Sequence, residues 1–288
     1  MQEKLRAFQK RKRVVESTII LGGFSMVAAA ALFVLAIEPT TLIVALLVVG
    51  AVTLFFGFSS YTTLQDDFKE KVLKAILEES IENGVYKPHM GLGPSQVYQG
   101  ECLSEADDMK TEDFLSGVID GVSFISSDVV LSNYQTLSTG KGVNQVLTPF
   151  FTGRVFSFDF NKTFKDRVFV MEKGKPATQY ETETVELESQ AFNETFKTYA
   201  TDPHTAFYVL TPPIIEALLK IEKNHPGDLS FSFIGTKLHM AINNQIDTFE
   251  LTMFRPLNED AITAFTEDLD ILRDVVHSLK LNRSIFKN

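Results

Sequence analysis

Five histidines, one cysteine and 37 acidic residues are the side chains with which this 288-residue chain could do acid–base, nucleophilic or metal chemistry. His89, His204, His225, His239 and His277 fall in different predicted elements, without the close pairing that zinc sites show. His225 and His277 read as surface or helix-end groups. His239 alternates with Leu238 and Met240, so an exposed position is expected for it. Cys102 has no partner for an intramolecular disulfide and no identifiable base, which fits a structural thiol in a reducing compartment. Neither a Gly-x-Ser-x-Gly elbow nor a Ser-x-x-Lys set with its companions occurs. Gly140-Lys141-Gly142 lacks the spacing and the terminal Ser or Thr of a phosphate loop and reads as a hairpin tip. Glu105, Asp107 and Asp108 lack the repeated oxygen-ligand spacing of a calcium loop. Asp159, between Phe158 and Phe160 and ahead of Asn161-Lys162, is the best single polar candidate, with a turn or salt bridge as its ordinary role. No catalytic, cofactor-binding or metal-binding residue is assigned, and an enzyme is the least supported reading.

The elements that position these residues begin with an apolar block. Residues 17–37 and 40–58 carry no charge, and each run is long enough to cross the roughly 30 Å hydrocarbon core as a helix. Only Glu38 and Pro39 separate them, so they are expected to form a tight antiparallel hairpin, with residues 17–58 in contact with a lipid bilayer. A signal peptide is the rival reading of the first run, but no small-x-small site follows Leu35 and a second run comes at once. Lys4, Arg6, Lys10, Arg11, Lys12 and Arg13 precede the first run and Lys69, Lys71 and Lys74 follow the second, whereas the connection has no Lys or Arg. The expectation is a two-helix protein of the cell membrane with both termini cytoplasmic.

The charge divides unevenly. Residues 1–16 hold six basic and two acidic groups, and beyond Glu38 the chain holds 21 basic against 34 acidic, about −13. A domain so acidic is a poor partner for nucleic acid.

Downstream, Leu64, Phe68, Val72 and Ile76, joined by Leu73, Leu77 and Ile81, draw the buried stripe of a juxtamembrane helix over 59–84, with Asn83-Gly84 as its C-cap. Residues 85–113, broken by Pro88, Gly91, Gly93, Pro94 and Gly100, read as a linker with a short helix. Strand signals begin at Phe114, and Asp120-Gly121 between apolar runs marks a two-residue hairpin. Phe156, Phe158 and Phe160 alternate with Val155, Ser157 and Asp159 as in a half-buried strand, with Phe169 and Met171 in the next. Residues 185–187 and 196–199 are further strand candidates, and 173–184 a loop. Thr211-Pro212-Pro213 opens a helix that His225-Pro226-Gly227 ends. Leu229, Phe231 and Phe233, then Leu238, Met240 and Ile242 about Gly235, predict a second hairpin. A last helix spans 259–279, with Ile262, Phe265, Leu269, Leu272, Val276 and Leu279 on its core face. The expected fold is α+β: the transmembrane helical hairpin, then, over 114–288, a mainly antiparallel sheet with helices packed against one face. The 25 Phe and absent Trp predict a phenylalanine-rich core, or less simply a Phe-lined hydrophobic-ligand or lipid pocket.

Phe150-Phe151-Thr152-Gly153-Arg154 leading to Phe158-Asp159-Phe160-Asn161-Lys162, then Phe207-Tyr208-Val209-Leu210-Thr211-Pro212 and Leu229-Ser230-Phe231-Ser232-Phe233, resembles the domain-of-unknown-function family 3137. Phe249-Glu250 and the helix end near Leu281-Asn282 extend the likeness. The resemblance implies a bacterial inner-membrane protein with no assigned activity and, by association, a LemA-type membrane protein as partner. It carries over no site residues. Relatives have a charged Glu-x-Arg-like pair where Thr205-Ala206-Phe207 stands here. With no catalytic motif in view, a membrane-anchored, non-enzymatic interaction or scaffold module is the leading expectation.

Overall fold

In the computed structural model the described residues are 2–35, 39–139, 142–246, 249–257 and 270–279. Two compact units emerge: Met1–Ala75 with Phe249–Phe265, and Ile76–Thr248 with Thr266–Asn288.

The first unit is built on helices α1 (Gln2–Val34) and α2 (Thr40–Phe68), which pack along each other. Both are long and apolar enough to cross a membrane. Their surfaces carry exposed Leu21, Phe24, Val27, Phe33, Val44, Val48, Phe55 and Phe56, an arrangement unfavourable in water and favourable in lipid. Glycines let the backbones approach. A Cβ on Gly22 would stand 2.9 Å from the Leu54 nitrogen, and one on Gly50 3.1 Å from the Gly22 oxygen. Ser25 donates to the Leu46 carbonyl at 3.0 Å. Residues 36–38 of the connection lie outside the described residues. The helix continues through a π segment (Lys69–Leu73) into α3 (Lys74–Ser80), and the stripe from Leu64 to Ile81 is buried as its spacing predicts. Asn83-Gly84 is no C-cap. The helix has ended at Ser80, and Asn83, with φ 52°, makes an irregularity inside strand β1 (Glu82–Lys87).

The second unit is a seven-stranded antiparallel sheet with helices, an α+β fold. Strand β1 pairs with β2 (Asp108–Ile119), β2 with β3 (Val122–Thr139), and β3 with β4 (Gly142–Met171). The Asp120-Gly121 hairpin forms as predicted, both residues at positive φ (49° and 81°) as its turn type demands. The stretch read as linker holds the end of β1, the short helix α4 (Pro94–Val97), a 3-10 turn (Tyr98–Gly100) and the start of β2. Beyond β4 come β5 (Glu183–Val185), α5 (Gln190–Thr195), β6 (Lys197–Ala200), α6 (Pro203–Val209), α7 (Pro212–Asn224), β7 (Asp228–Asn243) and α8 (Asp270–Ser278). Thr211 stands at the N-cap of α7 without using its hydroxyl, and the prolines make the start. Residues 258–269, the predicted first half of the last helix with Ile262, Phe265 and Leu269, lie outside the described residues. In α8, Ile271, Leu272, Val275 and Val276 are buried.

Two expectations about strands are corrected. The expected second hairpin, with its turn about Gly235, is one continuous strand, β7, and the two strands expected across 154–171 are one, β4. Each runs along the other from Gly153↔Asn243 to Met171↔Ser230. The turn signals are bulges: register jumps fall between Asp159, Phe164 and Val168, and Gly235 takes φ 58°. β4 advances nine residues from Asp159 to Val168 where β7 advances four from Lys237 to Phe233, so the excess lies in β4, and across it the Phe231 and Phe233 set of β7 gives way to Leu238, Met240 and Ile242. Both strands bend together instead of reversing.

Nor is the sheet covered on one face only. Leu92 and Val97 pack with Val129, Leu131, Phe151, Val155 and Ala241, so residues 92–106 close one face. On the other, Phe156 stacks on Phe158, Phe164 meets Phe233 edge-on, and Phe192 of α5 reaches Phe231 through Phe196. These rings fill the core against each other.

Candidate functional site

The polar residues singled out by sequence do not come together. Asp159 is exposed and pairs with Lys237 across the strands at 2.7 Å, an ordinary surface bridge. His225 and His277 sit at helix ends on Asp274 (3.2 Å) and Asp120 (3.0 Å). Among the described residues no cluster of three metal-ligating side chains occurs. Asp107 caps the open end of the β2–β3 pair, where its carboxylate accepts from the Tyr134 amide (2.9 Å) and its own amide donates to Asn133 Oδ1 (3.1 Å). Gly140 and Lys141 lie outside the described residues.

His239 is buried, contrary to expectation, because the second face of its strand is covered. A Cβ on Gly100 would stand 2.7 Å from the His239 Cβ. Burial, and then Lys237, push the His239 imidazole down to about 4, so it is neutral near pH 7. Its cross-strand neighbour is Ser157, whose buried hydroxyl has no hydrogen-bond partner among the described residues. Beside them, Ser232 donates to the Gly100 carbonyl at 2.6 Å. Burial pushes the Cys102 thiol up to about 12 against the weaker pull of hydrogen bonds from Ser232 and Ser230, so it is a poor nucleophile.

A second buried polar group was not legible from the sequence. Arg154 donates to Asp128 Oδ1 (2.9 Å), the Asp113 carbonyl (2.8 Å) and Ser126 Oγ (3.3 Å), while the Tyr86 hydroxyl donates to the Asp113 carboxylate. Tyr86, Asp113, Ser126, Asp128 and Arg154 are all buried. Desolvation, then the Asp113 charge, raise the Tyr86 pKa strongly. Its hydrogen bonds tie β1, β2, β3 and β4 together.

The surface is more informative. Beyond Ser132↔Pro149 the strands β3 and β4 pair, among the described residues, only with each other out to Thr139↔Gly142, a two-stranded ribbon roughly 24 Å long. Tyr134, Leu137, Val146 and Leu147 are exposed on it. From Val129 to Gly153 the sole charged residue is Lys141, in a chain of net charge −10. The Tyr134 amide points toward Asp107, so by alternation the amides and carbonyls of Thr136 and Ser138 face the same open edge. Pro149 sits where its missing N–H costs the ladder nothing.

At the foot of the helix pair, residues 249–257 form a strap held by both helices. Buried Lys12 pairs with Glu16 one turn on and donates to the Arg255 carbonyl at 2.7 Å. Glu16 accepts from the Phe254 amide (2.6 Å) and Gln9 from the Leu257 amide (2.6 Å). From α2 and its continuation, Tyr61 donates to the Leu251 carbonyl, and Gln65 and Lys69 (2.6 Å) hold Glu250. The basic cluster, read as a topology signal, thus includes one structural lysine; the i,i+4 spacing of Lys12 and Glu16 was its available cue. A groove of about 670 Å³ is lined by Ala7, Lys10, Arg11, Val14 and Val15 of α1 and Ser60 and Thr63 of α2.

No curated protein matches the sequence. Among solved structures, the crystal structure of the mycobacterial trehalose monomycolate transport factor A, TtfA, aligns over 60% of this chain and 76% of its own, with 8% identity and a TM-score of 0.32. A likeness that distant transfers neither fold nor function. The family described as "Protein of unknown function (DUF3137)" matches residues 150–281, which take in most of β4 and the buried Phe strands around it. Over that stretch the chain is similar to this family of unknown function.

Proposed function

We propose that the protein is a membrane-anchored interaction module whose contact element is the ribbon over residues 133–139 and 142–148. In this reading the two apolar helices hold the chain in a cell membrane with both ends cytoplasmic. The ribbon engages another membrane protein by strand addition along its Thr136–Ser138 edge. The observation that carries it is the ribbon itself. A two-stranded ribbon with open edges, exposed apolar side chains and almost no charge lacks the devices by which sheet proteins keep edges unpaired. Such an edge supplies main-chain hydrogen bonds to an incoming strand, with alternate side chains for specificity. The family association suggests a LemA-type protein as the first partner to try.

The test is photo-crosslinking in cells of the full chain carrying the crosslinker at Thr136 or Gln145, with Glu216 on α7 as control. The expected result is one membrane protein captured from the ribbon positions and lost when Ser138→Pro blocks the edge. Equal capture from Glu216, or none from the ribbon, would overturn the reading.

A further inference from the structure

We infer that the groove between the feet of α1 and α2 is a binding site for the headgroup of an anionic phospholipid. The inference rests on the membrane-anchored reading above and adds a ligand to it. Depth is the first argument. At 1.5 Å per residue, Lys10 lies about 10 Å and Val14 about 4.5 Å before Ser17, where the uncharged run of α1 begins. Ser60 and Thr63 lie roughly 3 and 7 Å beyond Phe58, where that of α2 ends. The polar layer outside the hydrocarbon core is about 5–8 Å thick on each side, so the groove spans headgroup depth.

Chemistry is the second argument. Ala7, Lys10, Arg11, Val14 and Val15 follow helical i, i+3, i+4, i+7, i+8 spacing, and with Ser60 and Thr63 they line the groove without a carboxylate. Asp67 holds Arg11 at 2.8 Å and also pairs with Lys71, so its charge is already answered by two cations. Lys10 and Arg11 can face a phosphodiester, the Ser60 hydroxyl can donate to it, and Val14 and Val15 give the first methylenes of an acyl chain an apolar path toward the bilayer interior. A zwitterionic headgroup would bring its own cation to a groove that already has two.

The experiment is native mass spectrometry of the full chain in neutral detergent, offered equal phosphatidylglycerol and phosphatidylcholine, with glycerophosphate as a chainless competitor. Phosphatidylglycerol is expected to be retained selectively and to resist glycerophosphate. Lys10→Ala should weaken the preference about fivefold. Val15→Trp, which fills the groove and leaves every charge in place, should abolish it, whereas the double variant Arg6→Ala/Arg13→Ala, outside the groove, should keep it; helicity by circular dichroism certifies each variant. Equal loss in the groove and outside variants, retention in Val15→Trp, or full competition by glycerophosphate would overturn the site. If lipid of either class stays bound without preference, the site fails and the anchor stands. If none stays bound, the anchored reading fails with it.

Discussion

His239 and Ser157 face each other across β4 and β7 beneath Gly100, and the cost of that burial depends on pH. The imidazole titrates near 6.5 in an unfolded chain and at about 4 in the fold. Above 6.5 both states are neutral and the group does not affect stability. Below it the unfolded chain takes up a proton that the native chain refuses, so stability falls as pH drops from about 6.5 to about 4, by roughly 3 kcal/mol in total. His239→Gln should flatten that part of the stability–pH profile, read by urea denaturation of the full chain in detergent between pH 4 and 7.5. An unchanged slope would place the acid sensitivity elsewhere. Arg154 is the second residue of this kind. Arg154→Met takes the cation from the buried Asp128 carboxylate and should cost about 3–5 kcal/mol, against about 1–3 for Tyr86→Phe, which removes one donor from Asp113. Equal losses in thermal unfolding would show that the ion pair contributes no more than a single hydrogen bond. Neither residue was legible in advance. Alternation puts His239 opposite Leu238 and Met240 correctly, but a period-two pattern cannot say whether the second face is wet. The cover comes from residues 92–106, where Gly93, Pro94 and Gly100 conceal that Leu92 and Val97 are core residues.

At the scale of elements, the sequence pattern read locally was sound and the connections were not. The Asp-Gly hairpin and the buried stripe from Leu64 to Ile81 are local signals, and the structure has both. Phe156 and Phe158 are buried as their alternation predicts, but Val155 and Ser157 are buried too, so that part of β4 is not half-buried, and the side chain of Phe160 lies outside the described residues. A glycine between two alternating runs is ambiguous between reversal and bulge, and only the partner strand decides. The register of β4 jumps against β7 on both sides of Gly235 and pairing resumes beyond it, so both strands continue. Two glycines of this pair test the account because they are required for different reasons. Gly153 has no strained φ, but a Cβ there would stand 1.9 Å from the Ile242 carbonyl oxygen, a backbone atom that cannot swing away. Gly235 has open space about it and a φ of 58°. Gly153→Ala should therefore cost roughly 3 kcal/mol through forced separation of the strands, and Gly235→Ala about 1–2 kcal/mol through the left-handed backbone alone. Gly235→Asn should recover most of the second loss, since Asn tolerates that conformation. Chemical denaturation of the three variants orders them. A Gly153→Ala protein as stable as the parent would mean that the β4–β7 approach is looser than the backbone describes.

At the scale of the whole molecule, the chain order and the folding units do not coincide. A reader of the sequence divides it after the apolar block and expects everything beyond to fold without it. The strap places residues 249–257 with Met1–Ala75, because its backbone groups are satisfied by Gln9, Lys12, Glu16 and Tyr61, and its Phe249, Leu251 and Leu257 are buried. None of these contacts leaves a periodic trace, since the strap is irregular backbone recognised by scattered side chains. A chain that starts at residue 62 keeps the strap and loses α1 together with Tyr61. Its apolar residues then lose their cover and its carbonyls their donors. Such a fragment is expected to fold its sheet, aggregate through the strap, and be cut by protease between residues 249 and 257, where the detergent-solubilised full chain is protected. The added substitutions Phe249→Ser, Leu251→Ser and Leu257→Ser should restore solubility to the fragment without changing its circular dichroism. Equal protection of the strap in fragment and full chain would mean that α1 and Tyr61 are not what hold it. The helix pair would then not be the folding partner of the chain's return segment.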